Sequence, residues 1–315
     1  MPSLKELAKE KELLSGGHRL CPGCGAGIAI RQVLLAAPKP VVVTCATGCL
    51  EVATTIFPYT AWEMPWIHSA FENAAATCSG VESAYNALKR KGKLPVDKKI
   101  YFIAIGGDGG TYDIGLQSLS GAMERGHRML YVCYNNQAYM NTGIQRSSAT
   151  PKGGFTTTSP VGKLKPGKEQ SRKDLTEIMV AHNIPYVSQT IVGDWRDLTT
   201  KVQKALSKDG PSFINILAPC RLGWGHAPED TTQIGRLSAD TCFWPLYEVE
   251  EGTYKLTYKP KEKKPVIELL KLQDRFKHLF KKGNEALLVE IQEEIDKKWN
   301  RLLTRCGETN TQVSS

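Results

Sequence analysis

Residues 100–110 read IYFIAIGGDGG, and this stretch decides the fold. Its first six residues are apolar or aromatic, as in a strand that is buried on both faces of a sheet. Four glycines around Asp108 then turn the chain sharply. Residues 129–136, MLYVCYNN, repeat the arrangement, because a second buried strand ends in Asn135 and Asn136. Ligands of open α/β sheets bind beyond the carboxyl ends of the strands, so these polar residues predict a site at one sheet edge.

Further strands and amphipathic helices alternate along the chain. The patterns predict strands at 41–45, 186–188 and 213–217, and helices at 73–91, 172–182 and 195–207. Asp113 is expected to cap a helix that runs to about residue 125. The alternation predicts an α/β fold with a parallel sheet and helices on both faces. Residues 141–170 have no periodicity and are expected to form a functional loop.

The chain is expected to divide at about residue 225. Residues 1–225 carry the α/β pattern, and residues 226–315 are predicted to be a partly helical C-terminal extension that packs on the body or on another subunit. In the extension, apolar side chains recur at helical spacing with Lys and Glu between them. They are Ile291, Ile295, Trp299 and Leu302.

Charge and hydropathy exclude several classes of protein. The net charge is +9, and residues 255–282 alone carry ten Lys and Arg against three Asp and Glu. Such a segment can attract nucleic acid, a membrane surface or an acidic protein, and a solvated face or a subunit contact is the plainer interpretation. No nucleic-acid motif is recognisable, and no apolar run is long enough to cross a membrane. Because the N-terminus lacks the apolar core of a signal peptide, we expect a cytoplasmic protein.

The glycine-rich turn has the chemistry of a diphosphate and magnesium site. Asp108 offers a carboxylate, and Asn136 offers an amide oxygen 28 residues later, one β-α-β crossover away. Magnesium prefers oxygen ligands, and glycines let the backbone approach phosphate oxygens. A Gly-Asp-Gly alone is more typical of an ordinary tight turn, and it is the combination with the second strand and Asn136 that favours the metal site.

Nine cysteines in a protein expected to be cytoplasmic favour metal or redox chemistry over disulfides. Cys21 and Cys24 form a CxxC motif, and Cys49 follows 25 residues later. A [4Fe–4S] cluster needs four thiolates. A four-cysteine zinc site and a thioredoxin-like pair are the alternatives.

The fourth thiolate has to be chosen among the remaining cysteines. Cys133 falls inside a predicted strand and Cys78 inside a predicted helix, so both are expected to be buried structural residues. Cys306 lies in the polar tail. The candidates that remain are Cys45, Cys220 and Cys242. We favour Cys220, because it follows a strand at the same sheet edge as Cys49, whereas Cys45 is expected to lie within its strand.

These motifs resemble a known family. The two strand-end motifs resemble the diphosphate-binding motif of thiamine-diphosphate enzymes. Residues 139–143, YMNTG, resemble the loop that follows it in pyruvate/2-oxoacid:ferredoxin oxidoreductases. Residues 58–62 and 68–76 also look like segments of that family. The resemblance covers about residues 14–225 and points to the β (thiamine-diphosphate-binding) subunit.

The resemblance implies roles for individual residues. Magnesium would be held by Asp108, Asn136 and the Ala138 carbonyl. Thiamine diphosphate would be lined by Cys49, Gly107, Asp108, Gly109, Gly110, Asn136, Tyr139 and Asn141, and Asn141 would take part in catalysis. A [4Fe–4S] cluster would be held by Cys21, Cys24, Cys49 and Cys220. His68 and Glu72 match no motif role and are interpreted as helix-entry or interface residues.

The resemblance also implies an activity. A small 2-oxo acid would be oxidatively decarboxylated, with one-electron transfer to ferredoxin. The chain would be active only with partner subunits, namely a pyrimidine-binding chain that supplies a catalytic glutamate and a ferredoxin-like cluster chain. A zinc-stabilised α/β protein that binds a nucleotide diphosphate without redox activity is the alternative.

The substrate is expected to be pyruvate or oxalate. Relatives often carry acidic residues at the end of the third strand, where this chain has the neutral Asn135 and Gln137. If these side chains face the substrate, their neutrality removes a repulsion against a dianion. Oxalate is therefore a candidate beside pyruvate.

Overall fold

The computed structural model describes residues 3–95, 97, 99–162 and 165–308. Lys163 and Leu164, in the predicted loop, lie outside the described residues. Eight strands form one sheet in the order β2-β1-β3-β4-β6-β5-β7-β8. They are β1 (Val41–Ala46), β2 (Trp66–Ser69), β3 (Tyr101–Gly107), β4 (Leu130–Asn135), β5 (Tyr186–Ile191), β6 (Ser212–Leu217), β7 (Tyr247–Glu250) and β8 (Thr253–Leu256).

The strands from β2 to β5 are parallel, and β7 and β8 close the far side of the sheet as antiparallel strands. The α/β fold class is confirmed, with a mixed rather than a purely parallel sheet. The five predicted strands begin within one residue of their expected positions. The strands β2, β7 and β8 were not predicted, because four-residue strands with polar or charged residues carry no apolar run.

Eleven α-helices occur in the described part of the chain, together with a π-helical turn (Gly109–Ile114) and two 3-10 segments (Pro228–Asp230 and Asp274–Phe280). The helices are α1 (Leu4–Leu7), α2 (Gly25–Ala36), α3 (Cys49–Thr54), α4 (Ala74–Arg90), α5 (Leu116–Glu124), α6 (Leu175–Val180), α7 (Trp195–Ser207), α8 (Arg221–Trp224), α9 (Thr231–Asp240), α10 (Val266–Lys271) and α11 (Glu285–Arg305).

Helices cover both faces of the sheet, because the side chains of each central strand alternate between two cores. Ile103 and Ile105 of β3 pack in one core with α2 and α7. Phe102 and Ala104 of the same strand pack in the other core with α4, α5 and α6. Near-continuous apolar strands such as β3 are what this two-sided burial requires.

Residues beyond 225 share the second core with the rest of the chain. The four apolar residues predicted for the tail helix are buried on α11, which confirms its amphipathic pattern. Trp244 and Phe276 are fully buried in the same cluster. The division of the chain at residue 225 therefore stays a prediction about domains, since the core continues across it.

One capping prediction is wrong. Asp113 lies inside the π-helical turn, and Gly115 is the residue that precedes α5. The backbone N–H of Ser148 donates to the Asp113 carboxylate over 2.9 Å, and the Ser148 hydroxyl also bonds to it. The loop after β4 thus uses the carboxylate that was expected to cap the helix.

No helix of the described residues combines the length and apolarity that a membrane span needs.

Candidate cofactor site

A cleft opens at the carboxyl ends of β1, β3 and β4. After β1 the chain turns toward β2, whereas after β3 it turns toward β4 on the other side. Such a switch point leaves a crevice in which α/β proteins bind ligands. All eight predicted cofactor-binding residues line the cleft. The lining is Thr47, Gly48, Cys49, Phe71, Gly107, Asp108, Gly109, Gly110, Tyr134, Asn136, Ala138, Tyr139, Met140, Asn141 and Thr142.

Asp108 is held in a fixed orientation at the base of the cleft. Its side chain is 1% exposed. Its Oδ1 accepts the backbone N–H groups of Asn136 and Gln137, each over 3.1 Å, and the Ser147 hydroxyl donates to its Oδ2. Burial raises the pKa of Asp108 to about 7, and the hydrogen bonds from Ser147 and Asn136 oppose that rise. A buried carboxylate of this kind is stabilised by a cation.

Three groups converge beside Asp108 in a way that suits a cation. One of the two terminal atoms of the Asn136 side-chain amide lies 2.8 Å from the Ala138 carbonyl oxygen and 2.9 Å from Asp108 Oδ1. Two arrangements are compatible with these distances. Either the amide nitrogen donates to both oxygens, or the amide oxygen faces them and a cation is shared by all three. The three predicted magnesium ligands thus come together.

The glycines after β3 are needed for close packing at the cleft. A Cβ on Gly109 would lie 2.4 Å from the ring of Tyr139. That ring is held in place because its hydroxyl donates to the Gly109 carbonyl over 2.8 Å. The π-helical turn begins here, and π-helical turns are frequent at functional sites. Asn141, predicted to be catalytic, is exposed at the mouth of the cleft.

Ser147 is a site residue that the sequence did not reveal. It lies in the aperiodic stretch 141–170, and only the folded loop brings its hydroxyl to Asp108. The loop is anchored by Lys168, a buried side chain whose amino group donates to the carbonyls of Ser148, Thr150 and Ser171. The sequence indicated a functional loop but could not indicate which of its residues is functional, because hydroxyl residues are common in any loop.

The four cysteines predicted to bind a cluster lie together at the same sheet edge. The CxxC turn contacts the end of β6, since the Gly25 N–H donates to the Pro219 carbonyl over 3.2 Å. A Cβ on Gly25 would lie 2.6 Å from that oxygen, so only glycine permits the approach. Cys24 and Cys220 immediately precede α2 and α8, and Cys49 is the first residue of α3.

The four thiols affect one another electrostatically. Burial, and after it the nearness of the other three predicted ligands, raises the pKa of Cys49 to about 12. Burial also raises the pKa of Cys220, and backbone N–H groups of Gly223 and Leu222 oppose the rise. In the described ranges, no three His, Cys, Asp or Glu side chains are grouped closely enough to hold a single metal ion. The four thiols are nevertheless near enough to influence one another's pKa.

The cysteines that were set aside lie elsewhere. Cys78 and Cys133 are buried in α4 and β4, and Cys45 is buried within β1, as expected. Cys242 is also buried, and Cys306 is half-buried at the end of α11. None of the five lines the cleft.

His68 and Glu72 do not line the cleft either. His68 is in strand β2, so it is not a helix-entry residue, and its Nε2 lies 2.8 Å from the Thr47 hydroxyl. Glu72 lies in the turn before α4. An interface role for either residue stays a prediction.

The charge argument for a dianionic substrate fails on geometry. Asn135 and Gln137 are both completely buried, and neither is among the residues that line the cleft. The Asn135 amide donates to the Tyr112 hydroxyl over 2.8 Å, and Gln137 Oε1 accepts from Arg275 over 2.7 Å. Their neutrality cannot act directly on a substrate, because neither side chain faces one.

Comparison with known proteins gives the same picture. Residues 46–216 match the family described as "Thiamine pyrophosphate enzyme, C-terminal TPP binding domain". Pyruvate synthase subunit PorB of Thermotoga maritima is 54% identical over 311 residues, which cover 96% of each chain. PorB of Methanocaldococcus jannaschii is 56% identical over 288 residues, 91% of this chain and 95% of that one. A solved 2-oxoglutarate:ferredoxin oxidoreductase from Magnetococcus marinus has the same fold over 66% of each chain, with a TM-score of 0.54 and 21% identity.

The fold and the family match define the class: the chain is a thiamine pyrophosphate enzyme chain with a C-terminal-type TPP binding domain. Within that class it belongs to the family of the β subunits of 2-oxoacid:ferredoxin oxidoreductases, with the PorB subunits of pyruvate synthases as its relatives.

Proposed function

We propose that the chain is the thiamine-diphosphate and [4Fe–4S] subunit of a pyruvate:ferredoxin oxidoreductase. The observation that carries the proposal is the meeting of two sets of ligands at one sheet edge. One set consists of oxygen ligands around Asp108, and the other consists of four thiols. Cys49 connects them, because it lines the cleft that contains Asp108 and is a neighbour of the other three cysteines. A cofactor that releases electrons and a cluster that accepts them need such proximity.

The oxygen-rich set fits magnesium and a diphosphate. Asp108 and the Ala138 carbonyl supply two oxygens, and the Asn136 amide would supply a third when its oxygen faces them. Magnesium favours one or two carboxylates together with phosphate oxygens and waters, and only one carboxylate is provided here. Gly107, Gly109 and Gly110 line the cleft beside these oxygens, so this part of the lining presents no Cβ to an approaching phosphate.

The thiol set fits an iron–sulfur cluster better than zinc. Zinc has no redox chemistry, whereas a four-iron cluster accepts and passes on electrons. Cys49 lines the cofactor cleft and is also a neighbour of the other three thiols. A group held by these thiols would thus lie beside the cofactor, where an electron acceptor is needed, and this supports the cluster over the zinc-stabilised alternative.

Thiamine diphosphate, when bound, supplies the chemistry by which a 2-oxo acid loses carbon dioxide. The chain's own residues would do the following. Asp108 and Asn136 would orient the diphosphate through magnesium, and Tyr139 and the glycines would shape the cleft around it. Asn141 at the mouth could donate a hydrogen bond to the substrate. Cys49, at the boundary of the two ligand sets, would keep the cluster next to the cleft.

Pyruvate is the proposed substrate. The two relatives compared above are named pyruvate synthase subunits, and the sequence argument for oxalate has lost its basis because Asn135 and Gln137 are buried. The proposed partners are a pyrimidine-binding chain, a ferredoxin-like cluster chain and free ferredoxin. The name "subunit" of the relatives supports an assembly of several chains.

The test is anaerobic co-expression with the partner chains, followed by viologen reduction with a panel of 2-oxo acids. We expect brown protein that contains iron, sulfide, magnesium and thiamine diphosphate, and activity with pyruvate plus coenzyme A. Activity with oxalate in the absence of coenzyme A would overturn the substrate, and colourless protein with bound zinc would overturn the redox function.

A further inference from the structure

A buried arginine from the C-terminal extension lies between the two ligand sets. Arg275 is 4% exposed and belongs to the 3-10 segment that docks on α8. Its guanidinium lies 3.8 Å from the ring centroid of Trp224. Trp224 in turn donates its indole N–H to the carbonyl of Asn136 over 2.7 Å. Arg275 and Trp224 thus connect the C-terminal extension to the loop that carries Asn136 and Ala138, two of the predicted magnesium ligands.

Arg275 has no carboxylate partner among the residues that the structure describes. Its guanidinium donates to two neutral amide oxygens, Gln273 Oε1 over 2.9 Å and Gln137 Oε1 over 2.7 Å. Burial lowers the pKa of Arg275, yet an arginine keeps its proton at neutral pH. A buried and unpaired positive charge is costly, and removing water from it requires a compensating negative charge nearby.

Two negative groups are near enough to interact with this charge, and they belong to the two ligand sets. They are the Asp108 carboxylate and the sulfur of Cys220, which would be a thiolate when it holds a cluster. Asp108 is the smaller of the two influences, and it would be paired with magnesium in the loaded enzyme. Cys220 is thus left as the main counter-charge. The backbone of Cys220 is connected to Trp224, on which Arg275 stacks, since the backbone N–H of Trp224 donates to the Cys220 carbonyl over 2.8 Å.

We propose that Arg275 is a positioning residue whose buried positive charge sets the reduction potential of the cluster held by Cys220. This inference rests on the proposed function. The one-electron reduction adds one negative charge to the cluster, the electron coming from the 2-oxo acid. A fixed cation beside the cluster stabilises the reduced form more than the oxidised form, and the low polarity of the site keeps the interaction strong. Arg275 therefore raises the potential.

The chain offers a second way to cancel the same charge. Because Gln137 Oε1 already accepts from the guanidinium, Gln137→Glu would place a carboxylate against it with almost no change in volume. Arg275→Gln removes the charge, Gln137→Glu neutralises it, and Arg275→Lys keeps it. These three variants separate the effect of charge from the effect of packing on Trp224.

The experiment is a redox titration of the assembled, anaerobically purified enzyme, followed by electron paramagnetic resonance. The signal that disappears in Cys220→Ser identifies this cluster among those of the partner chains. We expect Arg275→Gln and Gln137→Glu each to disfavour reduction about tenfold, which for one electron is about 59 mV toward lower potential. Arg275→Lys should stay close to the wild-type potential.

Arg172→Gln is the matched control. Arg172 also stacks on a tryptophan, with its guanidinium 4.4 Å from the Trp244 ring centroid, but it lies in a different cleft from the cofactor residues. Its replacement should leave the potential unchanged.

Wild-type potentials in both Arg275→Gln and Gln137→Glu, with full iron content, would overturn the inference while leaving the proposed function intact. If the Arg275→Gln enzyme does not assemble, the reduction potential of the Gln137→Glu enzyme alone tests the inference. The absence of any cluster signal in the wild-type enzyme would instead overturn the proposed function.

Discussion

The two ligand sets at the sheet edge differ in how completely the polypeptide itself builds them. Around Asp108, both carboxylate oxygens are already hydrogen-bonded and the side chain is buried. Around the thiols, Cys21 is exposed, and Cys220 accepts a long hydrogen bond of 3.4 Å from the backbone N–H of Gly223. The comparison teaches that the core orients the Asp108 carboxylate in advance, whereas the four proposed cluster ligands would be ordered mainly by the group that they are proposed to bind.

The largest expected effect is on the thiol side. Cys220→Ser should lose cluster iron and electron transfer, because a four-iron cluster that lacks one thiolate is not held. Cys242→Ser and Cys306→Ser should keep both, since neither residue lies with the four predicted ligands. Iron and sulfide analysis of the three anaerobically purified variants makes the measurement. Full iron in Cys220→Ser would remove this residue from the ligand set.

On the preorganised side, Asp108→Ala should abolish magnesium-dependent binding of thiamine diphosphate with the fold intact. The affinity should fall by more than the roughly 10- to 100-fold loss that is typical of partners outside the metal's own ligands. Calorimetry with the assembled enzyme measures the affinity, and circular dichroism checks the fold. Unchanged affinity would show that the oxygens around Asp108 do not hold the metal.

Ser147→Ala tests the preorganisation more finely. It removes one hydrogen bond to the Asp108 carboxylate and leaves every predicted ligand in place. A hydrogen bond to a charged group contributes about 1.5–3 kcal/mol, so cofactor affinity should fall roughly 10- to 100-fold. Thr157→Ala is the control and should bind normally, because Thr157 is an exposed residue of the same loop whose hydroxyl donates to the Gly143 carbonyl and not to Asp108. Equal affinities in both variants would mean that Asp108 needs no orientation from the loop.

The smallest effect is expected on the basic segment 255–282. Lys263 is ion-paired with Asp296, and Lys264 lies 3.5 Å from Asp240, so both charges are already used within the chain. Reversing both to glutamate should change the rate of ferredoxin reduction less than about twofold and cost about 1 kcal/mol of stability, as for exposed ion pairs. Stopped-flow kinetics at two salt concentrations measures the rate. A large, salt-dependent loss would assign ferredoxin steering to this segment.

Much of this comparison could be predicted from the sequence, for physical reasons that differ between residues. The buried strands and the glycines around Asp108 are local patterns, so both the fold and the position of the cleft were predictable. Cys220 could be chosen because strand ends share one edge. Ser147 and Arg275 gave no local signal, because their roles arise from contacts across 39 and 138 residues of sequence. The same holds for Asn135 and Gln137, whose identities suggested a substrate contact that their burial rules out.

The central claim is that electrons pass from a cofactor held at Asp108 to a cluster held at Cys220. The most direct measurement follows the electron paramagnetic resonance signal of that cluster in wild-type and Asp108→Ala enzymes, after addition either of pyruvate plus coenzyme A or of dithionite. We predict that both reductants reduce the wild-type cluster and that only dithionite reduces it in the variant. Reduction of the Asp108→Ala cluster by pyruvate at the wild-type rate would contradict the account.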